Sequence, residues 1–121
     1  EVTDYLNRVR QPFNVNTLAQ IAAIVALKDD EFLEQSYQMN KAGKEFLSKE
    51  FDAKGIAYVP SYTNFILFEM KEAAKVAEAL LAKGVIVRPV ASDGLPEHLR
   101  VSIGTPEENQ RFITALKEVL A

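Results

Sequence analysis

The chain has 121 residues, 48% hydrophobic and 26% charged, with no cysteine and a formal net charge of -3. This length fits one domain, and the apolar content is enough to exclude a disordered chain. The absence of Cys excludes a disulfide scaffold, Cys-based metal sites and thiol catalysis.

The mildly acidic balance argues against a nucleic-acid partner, which wants a clustered basic surface. The longest wholly apolar run, Ile21 to Leu27, falls well short of the ~20 residues that span a bilayer. No basic-then-apolar leader opens the sequence, so no membrane partner is expected. A Cys-free composition is compatible with a reducing compartment, and a cytoplasmic location is expected.

Residues 1–16 are mixed and polar and read as an extended lead-in containing Pro12. Thr17 and Gln20 fit a capping box, with Asn16 or Thr17 starting an apolar helix that runs to about Leu27. Asp29 or Asp30 caps the next helix. Phe32, Leu33, Tyr37, Phe46, Leu47 and Phe51 recur at helical spacing and predict one long amphipathic helix. Gly43 inside it costs ~1 kcal/mol relative to Ala and marks a bend or a close helix contact. Gly55 ends it with a left-handed cap.

Ile56 to Val59 reads as a short strand, Pro60 to Thr63 as a loop, and Asn64 to Glu69 as a buried strand. Residues 73–83 form a small helix closed by Gly84. Val85 to Arg88 reads as a strand stopped by Pro89, Asp93 to Pro96 as a turn, and Leu99 to Ile103 as an alternating strand. Thr105, Pro106 and Glu108 make a strong helix start, and Phe112, Ile113, Leu116, Val119 and Leu120 carry the final apolar stripe. The order predicts an α+β two-layer sandwich: a small, mostly antiparallel or mixed sheet with helices on one face, preceded by a crossover segment and a long helix. The expected division is a crossover segment with its helix over 1–29 and a small domain over 30–121.

Period-two alternation puts Leu99, Val101 and Ile103 on one sheet face and Arg100 and Ser102 on the other. The same pattern groups Ile86 with Arg88. Two guanidinium groups are thus expected on the side that the helices leave uncovered. Arginine forks match carboxylate and phosphate oxygens, so this face is a candidate anion site; solvated arginines paired with surface carboxylates are the alternative. The other candidates are weaker. His98, expected in a turn, is the only histidine, and a metal site needs more ligands than one. Asp29-Asp30 and Glu107-Glu108 stand at helix starts, where they complement the macrodipole. Ser61 and Ser102 lack a nucleophile-elbow context, and Lys49 lies on a polar helix face. No complete catalytic set is present.

These residues also carry a resemblance. The run Leu99-Arg-Val-Ser-Ile-Gly-Thr-Pro-Glu-Glu-Asn109 resembles the C-terminal signature of histidinol-phosphate aminotransferases. Gly84-Val-Ile-Val-Arg-Pro89 resembles the strand before it, and Ser61-Tyr-Thr-Asn-Phe65 the family's S-x-x-N-F motif. Arg10-Gln-Pro-Phe-Asn-Val-Asn16 with Leu18-Ala-Gln20 resembles its interdomain crossover, ordered by Asn14 and Asn16. The matches fall in the family's order and span almost the whole chain. The resemblance implies the C-terminal small domain of a pyridoxal-phosphate (PLP) enzyme of the aspartate-aminotransferase fold type. Such enzymes are homodimers with a separate large cofactor domain. They convert histidinol phosphate and 2-oxoglutarate to imidazole-acetol phosphate and glutamate in histidine biosynthesis.

It further implies that Arg100 binds the substrate α-carboxylate, that Arg88 lies near the substrate phosphate, and that Asn64 borders the substrate or fixes its strand. The family's Schiff-base lysine stands in a Ser-Lys context before the crossover. Ser48-Lys49 lacks the Gly-rich, Arg-containing sequel. PLP is therefore expected to be held by residues outside this chain, which is expected to be inactive alone. A threonine-phosphate decarboxylase, another class II aminotransferase fragment, or a stand-alone anion-binding module are the alternatives.

Overall fold

The computed structural model describes residues 1–10, 13 and 15–121. The motif residues Gln11, Pro12 and Asn14 lie outside the described residues. The chain divides into two compact units, Glu1–Glu34 and Gln35–Ala121.

The first unit holds helices α1 (Val2–Val9) and α2 (Thr17–Ala26) and the start of α3 (Asp30–Lys54). Residues 2–9 are helical rather than extended. Val2, Tyr5, Leu6 and Val9 recur at helical spacing, and Arg8 closes a 2.7 Å ion pair on Asp4 one turn back. The cap of α2 is Asn16, whose Oδ1 accepts from the Ala19 amide at 2.9 Å. Gln20 reaches the Val15 carbonyl instead of completing a box with Thr17. Asp29 caps α3 by accepting from the Phe32 amide at 3.0 Å.

The second unit contains the rest of α3, then β1 (Phe65–Glu69), α4 (Ala73–Ala82), β2 (Arg88–Val90), a 3-10 turn (Ala91–Asp93), β3 (Leu95–Ser102) and α5 (Pro106–Leu120). The strands form an antiparallel sheet in the order β1-β3-β2. Ile66, Phe68, Leu99 and Val101 on its inner face are buried against Leu47 and Phe51 of α3, Leu80 of α4 and Phe112, Ile113 and Leu116 of α5. The helices thus cover one face, as an α+β two-layer sandwich requires. Only the later part of the predicted α3 stripe is buried. Phe32, Leu33 and Tyr37 stay exposed, whereas Leu47 and Phe51 join the core.

Local backbone chemistry moved three predicted strands. Ile56 to Val59 forms only a bridge between Tyr58 and Phe68, closed by the Val59 amide on the Leu67 carbonyl and the Glu69 amide on the Ala57 carbonyl. The next acceptor in that register, the Phe65 carbonyl, is taken by the Ser61 and Thr63 hydroxyls instead. Val85 is drawn into the end of α4. Gly84 adopts φ 74°, and the Val85 amide bonds back to the Leu80 carbonyl in the pattern that closes helices. The strand expected over 85–88 therefore starts at Arg88 and runs through Pro89, which an edge strand tolerates. Gly94 at φ 84° turns the chain early. Consequently β3 begins at Leu95, and His98 lies in that strand opposite Glu69 rather than in a turn. The predicted start of α5 is present in full: the Thr105 side chain accepts from the Glu108 amide and the Glu108 carboxylate from the Thr105 amide.

Gly43 marks a close contact. A Cβ there would lie 2.6 Å from Ile103 Cγ2 and 2.7 Å from Asn109 Nδ2. Asn109 is buried, and its amide both accepts from the Gly104 N–H and donates to the Gly104 carbonyl, each at 3.0 Å. Gly43→Ala gains ~1 kcal/mol of helix propensity but overpacks this contact at a cost of about 1–3 kcal/mol. Net destabilisation of about 1 kcal/mol is expected, read as a lower urea midpoint at unchanged slope.

Glu50 joins α3 to α5. Its carboxylate lies 2.6 Å from Lys54 Nζ and 3.3 Å from Lys117 Nζ. Hydrogen bonds from Lys54 first and Lys117 second hold its pKa below the ordinary 4.5, against a smaller opposing desolvation. A carboxyl with a depressed folded pKa stabilises the fold above its unfolded pKa. That contribution disappears as pH falls below 4.5 through the lowered folded value. Glu50→Gln is expected to flatten the acid limb of a melting-temperature series between about pH 6 and pH 3.

Candidate functional site

The uncovered sheet face holds the candidate residues. Alternation along β1 turns Phe65 and Leu67 away from the helices, and along β3 it turns Arg100 and Ser102 the same way. Register fixes the rows. Phe65 faces Ser102, Leu67 faces Arg100, and on the other side of β3 Arg88 faces Arg100. The two predicted arginines are therefore brought side by side. Like charges directly opposite on a sheet repel, and each arginine is handled differently. Arg88 has Asp93 Oδ2 at 3.5 Å from its Nη2, with both side chains about half exposed (54% each). Arg100 is half-buried, and its Cζ lies 4.6 Å from the centroid of the Phe65 ring. Among the described residues no carboxylate or carbonyl takes its donors.

Asn64 stands at the start of β1. Its carbonyl accepts from the Ile103 amide at 2.8 Å, and its exposed side chain forms no hydrogen bond among the described residues. The loop before it is pinned to α3: Lys44 Nζ donates to the Ser61 carbonyl at 3.0 Å and Asn40 Nδ2 to the Thr63 carbonyl at 3.3 Å. Ser61 Oγ accepts from the Thr63 amide and donates to the Phe65 carbonyl. Ser61 is thus spent on loop geometry, and Asn64 is held by its backbone at the entry to β1, opposite Ile103 and three residues along the strand from the Leu67–Arg100–Arg88 row.

The sequence points to Arg88, Arg100 and Asn64 as site residues but not to Phe65, Asp93, Lys44 or Asn40. Period-two alternation back from Leu67 does place Phe65 on the arginine face, so that signal was readable. The α3 contacts to the loop were not, because they join residues distant in sequence.

His98 Nε2 lies 3.9 Å from Glu69 Oε1, a loose pair at the edge of the face. Lys49 is exposed on α3. A lysine that holds an aldehyde cofactor needs a desolvated pocket or an adjacent cation. Here Lys44 donates to Ser61, Lys54 pairs with Glu50, and every other lysine is exposed. The described residues do not fit the lysine end of a PLP site. What this face can do is grip an anion with one free fork and one loosely engaged one.

Residues 1–116 match the sequence profile of aminotransferase class I and II, and the chain belongs to that family. Within it, the chain is similar to histidinol-phosphate aminotransferases. It is 53% identical over 119 residues to that of Methylobacillus flagellatus, covering 98% of this chain and 32% of the relative. It is 55% identical over 121 residues to histidinol-phosphate aminotransferase 2 of Pseudomonas fluorescens, covering 99% and 33%. In three dimensions it matches the histidinol-phosphate aminotransferase of Clostridium acetobutylicum with a TM-score of 0.80 and 27% identity, over 98% of this chain and 37% of that one. The chain spans about a third of the length of these curated relatives.

Proposed function

We propose that this chain is the C-terminal, substrate-binding domain of a PLP-dependent histidinol-phosphate aminotransferase. The parent enzyme moves an amino group between histidinol phosphate and 2-oxoglutarate, yielding imidazole-acetol phosphate and glutamate. It works in the cytoplasm as a homodimer. A large domain outside this chain holds PLP, which supplies the electron sink for amino transfer. The boundary falls between a crossover at 1–29 and the small domain at 30–121.

The observation that carries this reading is Arg100, a half-buried guanidinium on the open sheet face with no carboxylate partner among the described residues. Arg100 receives the α-carboxylate of glutamate through two parallel N–H···O bonds. Arg88, next to it in register, serves the phosphate of histidinol phosphate. Its pair with Asp93 is long and solvated, and pairs of that kind are worth little, so an incoming phosphate displaces it at low cost. Asn64 borders the same site and keeps the β1 backbone in place.

The purified 121-residue chain is expected to show no amino transfer between glutamate and imidazole-acetol phosphate, while the full-length protein with PLP turns over. A coupled 2-oxoglutarate assay on both proteins decides it. Turnover by the chain alone, or none by the full-length protein, overturns the proposal.

A further inference from the structure

We propose that Phe65 is a positioning residue that aims the Arg100 guanidinium at its ligand. The inference rests on the carboxylate reading of Arg100 and identifies what holds that side chain. Phe65 and Arg100 are diagonal neighbours on the uncovered face, since Phe65 faces Ser102 and Leu67 faces Arg100. Diagonal partners in an antiparallel pair are ~7–8 Å apart, within reach of an aromatic ring and a long side chain. The observed 4.6 Å from Cζ to ring centroid is well inside the ~6 Å range of cation–π attraction.

The choice of a ring matters chemically. A carboxylate beside Arg100 would take the in-plane N–H donors of the fork and compete with the ligand for them. A ring attracts the cation through its negative face and occupies no acceptor-seeking donor. Arg88 repels Arg100 from the opposite side of β3, so the guanidinium is pushed by a like charge and held by the ring.

The ring is itself mounted on a fixed support. The Phe65 carbonyl accepts from Ser61 Oγ and, at 3.3 Å, from Thr63 Oγ1, in the loop that Lys44 and Asn40 tie to α3. Arg100 therefore leans on an anchored surface. Less rotamer freedom is left to lose when a ligand binds, which favours affinity through preorganisation.

The test replaces Phe65 in the full-length, PLP-loaded enzyme by phenylalanines carrying one to five ring fluorines. These keep the ring's shape while weakening and then reversing its quadrupole. KM for glutamate is expected to climb with each fluorine, reaching about tenfold, with kcat and melting temperature nearly constant. Phe65→Tyr is expected to keep the wild-type KM, and Phe65→Leu to raise it like the fully fluorinated ring. A KM that stays flat across the series, while Arg100→Ala raises it, overturns the role of Phe65 and leaves that of Arg100 standing. A KM unmoved by Arg100→Ala removes the carboxylate reading and this inference with it.

Discussion

Arg100→Lys in the full-length enzyme is expected to lower kcat/KM for glutamate by roughly 10- to 100-fold, and Arg100→Ala by more. Hydrogen bonds to charged groups contribute ~1.5–3 kcal/mol each, and about 1.4 kcal/mol is a tenfold change. Lysine keeps the positive charge but loses the planar fork, so at most one of two parallel bonds to the carboxylate survives. Alanine removes both the charge and the fork. Stability should barely move, since Arg100 makes one ring contact and no ion pair among the described residues; such a contact is worth ~0.5–1 kcal/mol when solvated. Steady-state kinetics with glutamate varied, beside thermal melts of the same preparations, separate the two effects. An Arg100→Lys enzyme with wild-type kcat/KM would show that the fork grips nothing.

The features that carry this prediction were legible because they are local. Alternation from Leu99 to Ile103 separates Arg100 from its neighbours because one face of β3 packs and the other does not, and a period of two records that asymmetry directly. The start of α5 was equally readable, since Thr105, Pro106 and Glu108 satisfy the helix's own first turn without help from elsewhere. Where backbone closure competed with pattern, pattern lost. Val85 to Val87 have strand composition, but the Gly84 turn binds Val85 to the end of α4. Tyr58 bridges Phe68 without a ladder, since side-chain hydroxyls of Ser61 and Thr63 take the Phe65 carbonyl that would continue it. The mixed, polar composition of residues 1–16 reads as extended and hides the apolar spacing of Val2, Tyr5, Leu6 and Val9 that α1 uses. The Phe65–Arg100 contact and the pinning of Ser61 by Lys44 depend on strand register and on the placement of α3. Both are products of the assembled core rather than of any short stretch of sequence.

That core predicts a second large effect. Phe51→Ala is expected to destabilise the second unit by about 3–5 kcal/mol, the usual cost of deleting a buried ring. Phe51 is fully buried and stands at the centre of an aromatic cluster. Its ring lies 4.9 Å from that of Phe68 in a stacked arrangement, 6.2 Å from Phe112 edge-on and 5.8 Å from Tyr58. It therefore joins α3 to β1 and α5 at once, and no single neighbour can collapse into the space it leaves. Domains of this size are stabilised by only ~5–15 kcal/mol, so the loss is a large share of the total. At a urea slope of about 2 kcal/mol/M, the midpoint should fall by roughly 1.5–2.5 M. Phe32, on the exposed part of the same helix, supplies the control: Phe32→Ala should shift stability by less than about 0.5 kcal/mol. A Phe51→Ala shift no larger than that of Phe32→Ala would mean that the helical layer is not locked to the sheet through this ring. The uncovered arginine face would then lack the rigid backing that the proposed carboxylate grip needs.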